Sequence, residues 1–280
     1  NVINAGTATG ALTLAAGDRN ADQLTYTGGF GVDTVAMENI NDVMDGGAGV
    51  DALTLNFAAI LGGVSVDLSS TTDQITAMDG ASNTAIQKNW ESVDLSSFTG
   101  FGAVITGSSV ANVIVGSALA DNINTGAGGD TVTGGLGKDV ITFGSGVDSL
   151  VYTEAAASTA TAGDLLVNSG DSIHNFAVGD TIQFGAAAGA FEGDVITAGV
   201  AGAGGTLTEM TTTTTFAAAT AGLMAYWDDG TDIKIAISVA ANAAYTALAD
   251  ITVTLVGIGS TSGANHVFAL SSGGELTFTS

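Results

Sequence analysis

Only four of the 280 residues carry a positive charge (Arg19, Lys88, Lys138 and Lys234), against 22 Asp and six Glu, and the formal net charge is -24. Nucleic acids and anionic membranes bind through clustered cations, so the scarcity of Lys and Arg excludes both as direct partners and asks for a cationic one. There is no cysteine. The redox compartment is therefore not fixed by disulfides, and a thiol nucleophile and a thiolate metal site are excluded. No apolar run approaches the roughly 18 residues of a membrane span, and the longest candidate, Phe216 to Trp227, is short and alanine-rich. The chain opens at Asn1 without a charged-then-apolar leader, which reads as a fragment or processed product. Catalytic signatures are also missing. The two histidines, His174 and His266, stand in unrelated contexts, no H-E-x-x-H or G-x-S-x-G occurs, and the glycine runs lack the G-K-[ST] of a phosphate loop. An enzyme is not expected.

What is present is glycine, aspartate and alanine. Apolar residues make up 46% of the chain, enough for a sizeable core built from small side chains, while charged residues are only 11%. Acidity of this kind fits a salt-adapted surface or focused cation binding, and the low charge density favours the latter. The acids are phased. From Gly107 five nine-residue units follow without a gap: GSSVANVIV, GSALADNIN, TGAGGDTVT, GGLGKDVIT and FGSGVDSLV. Their sixth positions are Asn112, Asp121, Asp130, Asp139 and Asp148; their eighth are Ile114, Ile123, Val132, Ile141 and Leu150. An earlier block reads GGFGVDTVA, MENINDVMD and GGAGVDALT from Gly28, with Asp33, Asp42 and Asp51 sixth. The blocks are offset by 79 residues, not a multiple of nine, so the intervening segment contains insertions.

These units resemble the nonapeptide G-G-x-G-x-D-x-U-x, with U a large apolar residue, of the repeat-in-toxin (RTX) family. The unit's physics agrees: glycines allow carbonyls to turn inward, and one apolar residue among small ones makes a very short strand. The resemblance implies a parallel β-roll in which loops eighteen residues apart stack, placing Asp33 on Asp51, Asp121 on Asp139 and Asp130 on Asp148. Stacked carboxylates repel unless neutralised, and calcium accepts both carboxylate and carbonyl oxygens. The implied cofactor is therefore several Ca2+ ions. Their ligands would be Asp33, Asp42, Asp51, Asp121, Asp130, Asp139 and Asp148, with the loop glycines Gly29, Gly31, Gly47, Gly49, Gly126, Gly128, Gly135, Gly137, Gly144 and Gly146. The units lacking glycines, from Met37, Gly107 and Gly116, fit ordinary metal-free turns equally well.

GDSIHNFAVGDTIQF at 170–184 resembles the segment that closes many RTX rolls. That implies a further calcium at Asp171 and Asp180 and a cap of Ile173, Phe176, Ile182 and Phe184. The expected fold is all-β, a parallel β-roll or β-solenoid followed by a β-rich cap with at most one or two short helices. Residues 1–151 form the solenoid, with regular repeats at 28–54 and 107–151 and an irregular segment at 55–106 that includes a loop or helical excursion near Thr76 to Trp90; a separate small β domain is the alternative for that segment. Residues 152–280 form the cap and secretion signal, with TTTTTFAAATAGLMAYW at 211–227 supplying a helix. AYWDDGTDIKIAI followed by DITVTLVGI resembles the C-terminal part of S-layer-type RTX proteins of Gram-negative bacteria, departing from it at DDGTD (228–232) and Thr254; Glu275 before Leu276 to Phe278 resembles ends exported by type I secretion. The expectation is a secreted structural calcium-binding protein of the cell surface, with further copies of itself and the type I secretion machinery as partners. The alternative is the export and calcium-dependent folding module of a protease, lipase or toxin, or an adhesin for surface polysaccharide.

Overall fold

The computed structural model describes residues 1–15, 23–56, 62–78, 81–82, 84–98, 100–152, 171–184, 205–207, 217–219, 223–228, 231–238, 242–244, 251–258, 268–270 and 275–279. Among them every regular element is a strand, so the fold is all-β, and no helix is long and apolar enough to cross a membrane. The chain divides into two compact units, Asn1–Gly135 with Gly144–Gly146, and Leu136–Phe143 with Val147–Ser280.

In the first unit the strands are two to four residues long, and the three-residue strands of the later repeats, Val113–Val115, Asn122–Asn124 and Thr131–Thr133, each place one side chain inward before the chain turns. Thr13–Leu14, Thr34–Met37, Ala52–Leu55, Ser92–Asp94, Val113–Val115 and Thr131–Thr133 stack in parallel. Their register aligns Val35, Leu53, Val93, Ile114 and Val132, each at most 2% exposed. A second parallel stack, Val64–Asp67, Val104–Thr106 and Asn122–Asn124, aligns Val66, Ile105 and Ile123. A third, Val2–Asn4, Thr25–Thr27, Val43–Asp45 and Gln87–Lys88, aligns Ile3, Tyr26, Met44 and Gln87. The repeat's eighth position thus lines a core one side chain wide.

The excursion expected near Thr76 to Trp90 as a loop or helix is built of strands where it is described. Ile75–Met78 runs antiparallel to Val64–Asp67, Ala81–Ser82 antiparallel to it, and Gln87–Lys88 returns to the third stack. The edge of Val64–Asp67 offers unpaired backbone groups, and Ile75 and Met78 find burial there. Gln74 ties this excursion to the roll: its buried amide donates to the carbonyls of Leu68 (3.0 Å) and Trp90 (2.9 Å) and accepts the Trp90 N–H (2.9 Å).

In the second unit Val140–Thr142 pairs in parallel with Asp171–His174, and Ser149–Tyr152 with Thr181–Phe184. The parallel order then gives way. Ile251–Val256 joins Asp171–His174 in parallel, but Ile233–Ser238 and Leu223–Asp228 follow antiparallel, and Glu275–Phe278, Phe268–Leu270 and Gly205–Leu207 add antiparallel strands to Thr181–Phe184. Ile173, Phe176 and Ile182 are buried as the capping reading expects, with Phe176 between Phe143 (ring centroids 6.0 Å) and Phe278 (6.1 Å); the side chain of Phe184 lies outside the description. The helix expected within 211–227 is not found in its described part. Ala217–Ala219 and Leu223–Asp228 are strands, paired with Asn242–Ala244 and Ile233–Ser238, and cross-strand pairing outweighs the modest helix preference of alanine. Residues 211–216, 220–222 and His266 lie outside the described residues.

Candidate metal centre

The sixth position of each nonapeptide ends its turn and sends its side chain inward, an amide at Asn112 and a carboxylate elsewhere. Asp33, Asp42, Asp51, Asp121, Asp130, Asp139, Asp148, Asp171 and Asp180 are all at most 3% exposed. One oxygen of the carboxylate accepts the backbone N–H of the preceding turn. Leu12 donates to Asp33 Oδ1 (2.8 Å), Asp33 to Asp51 Oδ1 (2.7 Å), Asp51 to Glu91 Oε2 (2.7 Å) and Asn112 to Asp130 Oδ1 (2.8 Å). Leu24 donates to Asp42 Oδ1 (2.7 Å) and Ala103 to Asp121 Oδ1 (2.5 Å). In the second unit Asp139 donates to Asp171 and Asp148 to Asp180, both at 2.9 Å. The sequence separation is 18 in regular steps, 21 from Leu12 to Asp33, 40 from Asp51 to Glu91 and 32 to Asp171 and Asp180. The insertions that put the two blocks out of phase therefore still supply a rung for Asp51 at Glu91, whose own N–H turns back to the Asp51 carbonyl (3.0 Å).

The second carboxylate oxygen sorts these residues. At Asp42 it accepts the N–H groups of Glu38 (3.3 Å) and Asn39 (3.2 Å), at Asp121 that of Ser117 (2.6 Å), at Asp180 that of Ala177 (2.7 Å). Tyrosine hydroxyls serve two others: Tyr26 donates to Asp33 Oδ2 (3.0 Å) and Tyr152 to Asp171 Oδ2 (2.8 Å). Asn112 accepts the Ser108 N–H (2.7 Å) and donates to Glu91 O (2.7 Å). Asp51 differs. Its Oδ2 is fully buried and accepts no hydrogen bond. The Oδ2 atoms of Asp130, Asp139 and Asp148 are fully buried too.

Carbonyls supply the rest of the donor set. Those of Gly29 and Gly31 face the Cα atoms of Gly47 and Gly49, and those of Gly126 and Gly128 face Gly144 and Gly146. Gly126 (φ +86°) and Gly135 (φ +99°) need the left-handed region, and a Cβ there would come 2.1 Å from Ser108 O and 1.9 Å from Ser117 O. Burial raises the carboxyl of Asp51 to about 6; the N–H of Asp33 opposes the shift, and the charges of Glu91, Asp33 and Asp45 add to it. Burial likewise pushes Asp121, Asp130, Asp171 and Asp180 up. A buried, oxygen-only donor set that resists its own ionisation fits a hard cation. Among the described residues no three His, Cys, Asp or Glu side chains gather as a metal-binding group, so a cation here would take most of its oxygens from the backbone.

Residues 106–150 match the RTX calcium-binding nonapeptide repeat, in four copies. The RTX repeat is a structural calcium-binding motif, not a catalytic one, and it assigns calcium binding to this segment. No curated protein matches the chain. The earlier block at 28–54 lies outside the matched RTX residues, yet its Asp33 to Asp51 step repeats the Asn112 to Asp130 step. Sequence reasoning did not single out Glu91, Tyr26 or Tyr152. Glu91 occupies an aspartate rung from within WESVDLS, out of phase with every repeat, and nothing in the sequence marks the tyrosines as donors to carboxylates. One expected outcome follows for Tyr152. Tyr152→Phe leaves Asp171 Oδ2 buried without its hydroxyl and should cost about 1–3 kcal/mol, read as a lowered urea midpoint at saturating calcium.

Proposed function

We propose that this chain is a structural calcium-binding protein of the S-layer type, secreted to the surface of a Gram-negative bacterium, with no catalytic activity of its own. The observation that carries the reading is Asp51, a fully buried carboxylate whose Oδ2 has no hydrogen-bond partner and which faces Gly46 together with the carbonyl oxygen of Asn89. Calcium sits at the turns that combine glycine carbonyls with a buried aspartate: Asp51, Asp130, Asp139 and Asp148. Asp33, Asp42, Asp121, Asp171 and Asp180, equally buried, complete the set of carboxylates. Residues 1–151 act as the calcium-ordered roll, and 152–280 as the cap and secretion signal. Low cytosolic calcium leaves the roll unfolded for type I export, and external calcium folds it by mass action.

The lattice part of the reading draws on the turn surfaces, where Phe30 (66% exposed), Val32 (56%) and Val50 (57%) present apolar side chains to solvent for contacts between copies. Electron microscopy of the purified chain at millimolar calcium should show sheets. A chain that stays monomeric at every calcium concentration would leave the export-and-folding module as its role.

The buried carboxyls also set a pH dependence. Asp51, at about 6 in the fold, lies above its ordinary unfolded value, so the calcium-free fold gains stability from its protonation and loses it as pH rises through 6. In chelator, the β signal lost at pH 7 should therefore return in part as the pH is lowered from 7 to 5. At fixed calcium the affinity should move the other way, falling as the carboxylates protonate.

A further inference from the structure

The 40-residue step in the ladder has its own geometry. At regular turns the first glycine faces two oxygens: a Cβ at Gly28 would lie 1.9 Å from Gly46 O and 2.6 Å from Asp33 Oδ2, and one at Gly116 would lie 2.0 Å from Gly134 O and 2.5 Å from Asp121 Oδ2. The first oxygen belongs to the first residue of the next turn, the second to the aspartate of the same turn. At Gly46 the corresponding oxygens are Asn89 O (2.1 Å) and Asp51 Oδ2 (3.0 Å). Asn89 therefore stands where the next turn should begin.

From that position a regular turn takes five residues to reach its aspartate, as from Gly46 to Asp51. Here the carboxylate arrives after two, at Glu91, whose extra methylene carries Oε2 to the Asp51 N–H at 2.7 Å. Asn89 is fixed in this role. Its φ is +59°, its amide donates to Asp45 Oδ1 at 2.6 Å, and the neighbouring Lys88 carbonyl accepts the Gly46 N–H at 3.0 Å. The one carbonyl between Asn89 and Glu91, that of Trp90, is taken by the Gln74 amide (2.9 Å), and beside the shortened turn opens a cavity of about 270 Å³ whose lining includes Asn89, Glu91, Ser69, Ser70, Ser108 and Val110.

We propose that Asn89 and Glu91 form the second half of a cation site with Asp51, a shortened turn standing in for a nonapeptide loop. The ion is a hard divalent cation held by Asp51 Oδ2, the Asn89 carbonyl and the Glu91 carboxylate. Calcium takes six to eight oxygens, so an ion lacking the intermediate carbonyls keeps its remaining positions on the cavity side, filled by exchangeable water. This rests on the calcium reading above and adds Asn89 and Glu91, which lie outside the matched repeats.

Calorimetric titration of calcium into the full chain, wild type against Glu91→Gln, tests it. Gln keeps an acceptor for the Asp51 N–H while removing the charge, so the fold is retained and the circular dichroism at saturating calcium should not change. Glu91→Gln should lose one ion from the titration or bind it about tenfold more weakly, since a cage is tuned by its carboxylate count; Asp94→Asn, nearby but outside the cavity lining, should change nothing. Terbium bound in place of calcium and excited through Trp90 should show more than one coordinated water from its decay in H2O and D2O. Identical titrations for wild type and Glu91→Gln would overturn the site while leaving the RTX reading intact. A wild-type chain that takes up no calcium would overturn both, and a terbium ion without water would overturn the open side.

Discussion

Removing calcium from the full chain at pH 7 is expected to abolish most of the β signal of the repeats in circular dichroism, and millimolar calcium to restore it. The later repeats are thinly packed: each three-residue strand contributes one buried residue, Ile114, Ile123 or Val132, with exposed or half-buried neighbours. Burying such a side chain contributes roughly 1.5–3 kcal/mol, no more than ordering the backbone of two or three residues costs at about 1–2 kcal/mol each. The buried carboxylates make the deficit worse, since Asp51 and Asp130 are held above their ordinary ionisation range by burial. Each cation bound at a hundredfold excess over its Kd adds about 2.7 kcal/mol, and several sites acting on one unit turn an unstable roll into a stable one. The transition should be cooperative in calcium. A β signal unchanged by chelator would defeat the idea that these turns need the ion.

The second large effect is expected from Gly126→Ala. Its φ of +86° is a conformation that costs an L residue about 1–2 kcal/mol, and the new Cβ would come 2.1 Å from the carbonyl oxygen of Ser108. That oxygen is backbone and cannot swing aside, and it also accepts the N–H of Ala127 at 2.7 Å. Relief would require the two turns to separate, spreading the carbonyls that a calcium cage needs. Strain and steric conflict together should exceed about 3 kcal/mol, a large share of the 5–15 kcal/mol by which domains are stable. The calcium midpoint for folding should rise accordingly. Gly10→Ala is the matched control, because nothing lies within 4 Å of its added Cβ and φ is not positive. It should leave the midpoint unchanged or lower it slightly by stiffening the unfolded chain. Equal effects from both substitutions would show that the turn geometry is not what selects glycine.

The roll was legible where period and chemistry coincide. Position eight became the buried residue of a three-residue strand at Ile123, Val132 and Ile141, and position six became a buried acid at Asp121, Asp130 and Asp139, because a strict nine-residue period leaves little choice of face. Legibility failed where the period breaks. Glu91 could not be seen as a rung because the shortened turn at Asn89 shifts the phase, and only the N–H of Asp51 reveals the equivalence. The strands Ile75–Met78 and Ala217–Ala219 were read toward helix or loop because each takes its partner from strands that its own residues do not encode. The tyrosine donors to Asp33 and Asp171 were invisible for a related reason: Tyr26 and Asp33 are seven residues apart and Tyr152 and Asp171 nineteen, spacings that match no repeat.

The ladder of N–H groups and carboxylates also gives the roll a grain. These rungs point the same way along the sequence, the earlier turn donating and the later one accepting, from Leu12 through Asp33 and Asp51 to Glu91, and again from Asp139 and Asp148 to Asp171 and Asp180. The two ends are therefore not equivalent to trimming. A cut that removes residues 1–12 leaves Asp33 with an idle oxygen that water can serve at the new rim. A cut just before Asp171 instead strands the N–H groups of Asp139 and Asp148, whose acceptors have been taken away, so nested deletions should be tolerated from one end and not from the other.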